Sequence, residues 1–338
     1  MAAGESGSRS GGVVGVRATQ VIEFGGPRVL VPAEVDEPVA GPGQVLVAVA
    51  AVDTLFVETQ VRSGWGRAFF PVVPPYVPGG GMAGTVRATG EGVDRAWTGR
   101  RVVASIGFTG GYAELAVAPV EALAVVPPEV SLTDAAALVH DGATAAKLLG
   151  ATALAPGERV LVTGASGGMG TVLVQLAKAA GATVVGVARG DRKTALVREL
   201  GADAVVDATV PDWVEQARRA LGGGGAEVVL DGVGGEVGLA AFSLVADGGR
   251  FSAHGAPTGG FAAVDPAQAA ARGVRLLGIG DVRLSDSEHA GLVAQALRAT
   301  AHGVLRPVIG GTFPLDRAAS AHEAIESREL LGKAVITV

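Results

Sequence analysis

The sequence contains no cysteine, so neither a disulfide nor a thiolate-held zinc, structural or catalytic, can form in it. Aromatic residues are scarce at 4%, and only four of the 27 cationic residues are lysines, which makes each lysine informative. A net charge of −6 and a pI near 5.5 leave no cationic surplus for nucleic acid or an acidic membrane surface. No apolar run approaches the roughly 20 residues that a membrane helix needs. The longest candidates, such as Val45 to Val52, have the length of a buried strand. The five histidines, at 140, 254, 289, 302 and 322, are too far apart for a local metal-ligand motif. Met1 to Gly12 is rich in Gly, Ser and Ala and lacks the apolar core of a secretion signal, so it reads as a disordered lead into a cytoplasmic chain.

Glycine, by contrast, is abundant at 53 of 338 residues, as expected of many tight turns and close backbone approaches. The length exceeds what one core usually organises and predicts two domains. From Val13 to about Val130, short valine-rich runs alternate with Gly and Pro: Gly15–Val21, Val45–Val52, Met82–Ala88, Arg101–Ala104 and Ala113–Val117. This pattern predicts an all-β unit. From Ser131 strands alternate with helices. Six apolar strands, at 160–163, 183–187, 204–206, 226–230, 250–253 and 274–279, with helical crossovers predict a doubly wound parallel sheet. After a helix from about Glu288 to His302 the chain ends in a strand at Ala334–Val338, which reads as a return to the first domain. The expected division is 13–130 with 305–338, and 131–304.

The most informative segment is Arg159-Val-Leu-Val-Thr-Gly-Ala-Ser-Gly-Gly-Met-Gly170. An apolar strand ends in a glycine turn, and the following Met169, Val172, Leu173, Leu176, Ala177 and Ala180 fall at helical spacing. Glycines at 164, 167, 168 and 170 leave the free N–H groups and positive end of the helix open to a phosphate. The spacing departs from GxGxxG, but the flanking strand and helix supply the context that a dinucleotide fingerprint requires.

These motifs resemble the medium-chain dehydrogenase/reductases, and within them the zinc-independent quinone oxidoreductase, or zeta-crystallin-like, branch. The resemblance rests on Gly164-Ala-Ser-Gly-Gly-Met-Gly170, close to that branch's AAAGGVG, and on Ala136 to Ala145 before it. It rests also on Leu200-Gly-Ala-Asp203, Asp231-Gly-Val-Gly234, Gly248-Gly-Arg250 leading to Gly255, and Gly332-Lys333. It implies a GroES-like β domain completed by the C-terminal tail, an inserted Rossmann domain, and an active site between them. The positions that match the catalytic zinc ligands of metal-dependent relatives are Leu55, Gly80, Gly81 and His140, and one possible ligand cannot hold zinc. Where the branch usually carries Asn and then Asp, this chain has Leu55 and Glu58, followed by Arg62 and Gly64. That substitution turns attention to other polar groups nearby, Asp53 among them.

The second strand of the sheet ends in Arg189, followed by Gly190-Asp191-Arg192-Lys193. NAD-specific sites place an acid there, whereas arginine forks and a lysine charge suit the 2′-phosphate of NADPH. The alternative is a solvated helix start with Asp191 as N-cap. The resemblance further implies cofactor contacts at Thr144, Gly167, Gly168, Met169, Gly170, Val233, His254, Gly255 and Lys333, while the residue matching a cofactor-stacking tyrosine is Ala208. His140 either bonds an acceptor oxygen or donates a proton to it, imidazole being a group that titrates near neutral pH, or it pairs with Asp141 to fix a helix start. Tyr76 and Trp65 lie in a Gly/Pro-rich stretch that would roof the substrate side, and Arg62 is placed to pair with Glu58 four residues earlier.

The reading is an NADPH-dependent, zinc-independent reductase of a quinone or an α,β-unsaturated carbonyl compound, with His140, Asp53 and Tyr76 as catalytic candidates. An enoyl-thioester reductase of a biosynthetic pathway, and an NADPH-binding sensor or nonredox protein, remain open beside it. A homodimer is expected through the strand Val274–Ile279, an apolar edge of the kind proteins usually cover.

Overall fold

A computed structural model describes residues 15–257 and 259–338; the lead Met1 to Gly12 lies outside the described residues. The first unit contains β1 (Gly15–Val21), β2 (Leu30–Asp36), β3 (Gln44–Thr54), β4 (Gly81–Thr89), β5 (Arg101–Ser105), β6 (Leu115–Pro119) and β7 (Leu123–Val125). It is not purely β, because Phe56–Arg62 forms a helix, α1. Two helices follow, α2 (Leu132–Leu138) and α3 (Asp141–Ala151).

The second unit runs β8 (Arg159–Thr163), α4 (Gly168–Ala179), β9 (Thr183–Ala188), α5 (Asp191–Glu199), β10 (Ala204–Asp207), α6 (Trp213–Ala220), β11 (Ala226–Asp231), α7 (Gly235–Phe242), β12 (Val245–Ala253), α8 (Pro266–Ala271), β13 (Arg275–Leu277) and α9 (Asp286–Ala301). Its six strands are parallel in the order β10-β9-β8-β11-β12-β13, the doubly wound arrangement expected from the alternation. Val160, Leu161, Val162 and Val228 to Leu230 are fully buried because helices cover both faces, which is why these strands read as unbroken apolar runs. The sixth strand is shorter than the expected Val274–Ile279. Gly278 ends it, and its N–H donates to Asp281 Oδ2 (2.8 Å) to open a 3-10 turn at Ile279–Val282.

The tail supplies β14 (Ile309–Pro314), α10 (Ala318–Glu326) and β15 (Lys333–Thr337). It does return to the first unit: β15 pairs antiparallel with β3, and β14 extends the sheet beyond it. This pairing places Val335 opposite Asp53, Met82 opposite Val52 and Gly81 opposite Ser105. The end of β3, the start of β4, the end of β5 and the start of β15 therefore converge at one end of the sheet.

Candidate active site

The glycine turn occupies the switch point of the parallel sheet, between neighbours β8 and β11, where crevices of such sheets take ligands. Gly164 has φ +63°, open to glycine at little cost, and Gly167 caps α4 in extended conformation. The four glycines do different work. A Cβ on Gly170 would overlap the Gly164 carbonyl, so that glycine permits the turn to fold on itself. A Cβ on Gly168 would overlap the Lys333 side chain and the Asp141 carboxylate. A Cβ on Gly167 would meet nothing nearer than the Gly164 carbonyl oxygen, at 3.4 Å. The neighbouring turn is held by Thr163 Oγ1, which donates to Asp231 Oδ1 (2.6 Å), while Asp231 accepts from Val233 N (3.1 Å). The Val233 side chain faces Gly164, and Gly255 lies against Gly232 so closely that a Cβ would strike backbone. Burial pushes His254 down to about 4 despite the charge of Asp231, so its ring is neutral at pH 7. Met169 and Thr144 are half-buried on α4 and α3.

At the end of β9, Arg189 and Arg192 are exposed and Lys193 is half-buried. Gly190, not Asp191, is the N-cap of α5; Asp191 is its first helical residue. A further cation, which no local motif announced, comes from the tail. Lys193 Nζ donates to the Arg328 carbonyl at 2.5 Å, and burial with the like charges of Arg189 and Arg328 lowers the Lys193 pKa. Arg328 adopts φ +58°, a conformation costing a non-glycine residue roughly 1 to 2 kcal/mol, and its guanidinium donates to the Pro257 carbonyl (2.7 Å). Asp207, which reaches the same loop, spends Oδ1 on the N–H groups of Gly190 (3.0 Å) and Thr209 (2.9 Å).

Where the strand ends converge, four ionisable side chains form one cluster. Asp53, fully buried, accepts His140 Nδ1 at 2.9 Å on Oδ2 and faces Lys333 Nζ at 2.6 Å on Oδ1. Lys333 also reaches Asp141 Oδ2 at 3.2 Å. Burial alone would raise the Asp53 pKa, but the Lys333 ammonium and the bond from His140 outweigh it and hold Asp53 below the usual range. Lys333 is raised: its burial is overcome by the two carboxylates. Asp141 is raised, since its burial and the charge of Asp53 exceed what the more distant ammonium returns. His140 and Asp141 thus do not bond to each other; each takes a separate partner from β3 or β15. The His140 ring packs against Gly81, whose Cβ would overlap it, and lies edge-on to His289 with centroids 5.9 Å apart. Its Nε2 lies 3.3 Å from Ser105 Oγ.

A second buried group sits behind α1. Glu58 accepts from Leu55 N (3.1 Å), Gly80 N (3.0 Å) and the Tyr112 hydroxyl (3.0 Å). Burial pushes it up to about 7, more than these donors lower it. The expected Arg62–Glu58 link is absent. Arg62 instead turns to Glu326 (2.6 Å), His322 Nδ1 (3.2 Å) and the Gly25 carbonyl (3.1 Å), because α10 brings a carboxylate to the end of α1. Tyr112 and His322, joined at 3.0 Å, complete this group, and neither had any local signal in the sequence. Tyr76 is half-buried and backbone-paired with Val21; burial and the charge of Glu58 push it up to about 12. No hydrogen bond joins Tyr76 to His140 or Asp53. Trp65 is half-exposed and packs on Phe70 (6.3 Å), which meets Phe108 edge-on at 4.6 Å.

Comparison with known proteins agrees with this architecture. Residues 41–128 match the alcohol dehydrogenase GroES-like domain, and residues 168–303 match the family described as zinc-binding dehydrogenase. Quinone oxidoreductase of Sus scrofa is 32% identical over 323 residues, covering 94% of this chain and 97% of the relative. The chain belongs to the quinone oxidoreductase branch of the medium-chain dehydrogenase/reductases. A 2-haloacrylate reductase of Burkholderia is 31% identical over 338 residues, covering 95% of this chain and 98% of the relative. Among solved structures, Escherichia coli quinone oxidoreductase complexed with NADPH superposes with a TM-score of 0.88 at 26% identity, covering 95% of this chain and all of that one. Although one matching family is described as zinc-binding, Leu55, Gly80 and Gly81 here carry no ligand atoms, and among the described residues no three His, Cys, Asp or Glu side chains gather as a cation site.

Proposed function

We propose that this chain is an NADPH-dependent, metal-independent reductase of conjugated carbonyl compounds, either quinones or α,β-unsaturated ketones. The observation that carries the reading is the Asp53–His140 pair, tied through Lys333 and Asp141 to the glycine turn at Gly168. The turn fits a pyrophosphate, since Gly167 at the head of α4 leaves backbone N–H groups open to it. Arg189, Arg192, Lys193 and Arg328 fit a 2′-phosphate, with fork and point-charge donors. When bound, the cofactor supplies the hydride. His140, oriented by the buried charge of Asp53, holds a proton where an acceptor develops negative charge. The exposed rings of Trp65 and Phe108 favour a flat acceptor.

The test is NADPH oxidation by the purified, chelator-treated protein against a panel of quinones, enones and enoyl thioesters. Turnover with a quinone or an enone is expected, and tight NADPH binding with no turnover overturns the reading in favour of a sensor. Arg189→Ala should raise the NADPH dissociation constant about tenfold while leaving NADH little changed, as loss of one charge-assisted bond implies. Equal affinity of the unmodified protein for both cofactors would contradict the assignment. For assembly, the proposal is a twofold dimer through the edge at β13, where Leu276 and Ile279 are exposed; a monomer by light scattering at micromolar concentration refutes it.

A further inference from the structure

Resting on the reductase reading, we propose that Ser105 is the catalytic residue that hands the proton to the acceptor's oxygen, with His140 as the relay that refills it. An enone then leaves as its enol. His140 Nδ1 is committed to Asp53 at 2.9 Å, so Nε2 is the ring's remaining polar atom, and it faces Ser105 Oγ at 3.3 Å. Ser105 is the last residue of β5, half-buried, and His140 is the sole hydrogen-bond partner of its hydroxyl among the described residues. The ring itself has no room to turn. Gly81 lies so close to it that a Cβ there would overlap the ring, His289 lies edge-on at 5.9 Å, and Asp53 is completely buried with Lys333 fixing it at 2.6 Å. A serine hydroxyl, in contrast, rotates freely about one bond and can face the ring or the cleft.

The steps balance as follows. In the donating state both ring nitrogens carry protons and Asp53 is ionised. Once a hydride has been added to the acceptor's β-carbon, the π pair moves to the carbonyl oxygen. The Ser105 O–H proton passes to that oxygen, and the His140 Nε2 proton passes to Ser105 Oγ. The ring is left neutral with Nδ1–H still on Asp53, and water restores the lost proton at the ring's exposed edge, its side chain being 17% accessible. The acceptor has gained one hydride and one proton. Because the proton went to oxygen, the α-carbon is protonated only after release, with no preferred face.

The experiment uses NADPH with 2-methylcyclohex-2-enone and 2-methyl-1,4-naphthoquinone as probes. Racemic 2-methylcyclohexanone at early times is expected, and a single enantiomer overturns the inference without need of any variant. Ser105→Ala should lower kcat about 10-fold to 100-fold with unchanged NADPH affinity and a lost solvent isotope effect, while Ser105→Thr retains both. In the cofactor-free protein, the 15N resonance of His140 Nε2 should move in Ser105→Ala. Wild-type turnover in a folded Ser105→Ala protein, or an unmoved resonance, sinks the relay and leaves the reductase reading intact. If the unmodified protein reduces neither these probes nor any member of the panel, the reductase reading fails, and the relay with it.

Discussion

Asp53 and Glu58 lie five residues apart, both buried, yet their pKa values are moved in opposite directions. Asp53 meets the ammonium of Lys333 at 2.6 Å and is held ionised. Glu58 meets three neutral donors, and the guanidinium nearest to it in sequence, Arg62, is claimed by Glu326. Burial penalises both carboxylates alike; what separates them is which element delivers a cation. For Asp53 it is β15, while for Glu58 the helix α10 takes the cation away. A buried carboxylate held ionised can orient and support an imidazole. One whose pKa is raised by burial, and which accepts from Leu55 N and Gly80 N, is suited to bracing α1 against the start of β4.

The largest effect should come from Lys333→Met, which leaves Asp53 and Asp141 buried without their cation. Removing one partner of a buried pair costs roughly 3 to 5 kcal/mol, so urea titration at pH 7 should show a loss of that size. A loss under about 1 kcal/mol would break the contrast, since Asp53 would then owe little to Lys333.

Next is a pH effect of about 3 kcal/mol centred on Glu58. Its folded value, about 7, lies above its unfolded value of 4.5, so the folded state binds the proton more tightly. Its contribution is fully present below pH 4.5 and is lost as the pH rises through 7; a shift of this size corresponds to roughly 3 kcal/mol. Asp53 works in the reverse sense: its stabilisation holds above 3.8 and is lost as the pH falls through its lowered folded value. Glu58→Gln should flatten the alkaline-side decline while sparing the acid limb, as measured by unfolding free energy from pH 4 to 9. An unchanged decline would move the titration to another group.

The smallest effect is expected from Tyr112→Phe, which removes the bonds to Glu58 and His322. Net loss should be about 1 to 2 kcal/mol by thermal or urea unfolding. NADPH affinity should be unaffected, because nothing in this group touches the glycine turn; a changed affinity would show that the two buried groups are coupled.

The glycine turn and the cationic loop proposed to hold the cofactor were legible from local order. A strand, a glycine turn and a helix follow one another between Arg159 and Ala179, and a cationic loop follows the next strand, so short-range patterning announces both. The buried cluster proposed to face the acceptor was legible only in part. His140 and Asp53 stood out as residue types, but their pairing across 87 positions did not, and Ser105 carried no signal because it acquires its neighbours only from sheet register. Arg62 misled for the same reason: helical spacing put Glu58 within reach, and Glu326, 264 positions away, offered a better geometry.

By itself the sequence determined the two-unit α/β plan, the glycine turn between strand and helix and the absence of thiolate ligands, since these follow from periodicity, from glycine's missing side chain and from composition. Only the tertiary structure decided which carboxylate keeps its charge, which nitrogen of His140 faces outward and which arginine joins Lys193. Those outcomes depend on where β15 and α10 return in space, and the energies of buried charges vary steeply over the few ångströms that such a return fixes.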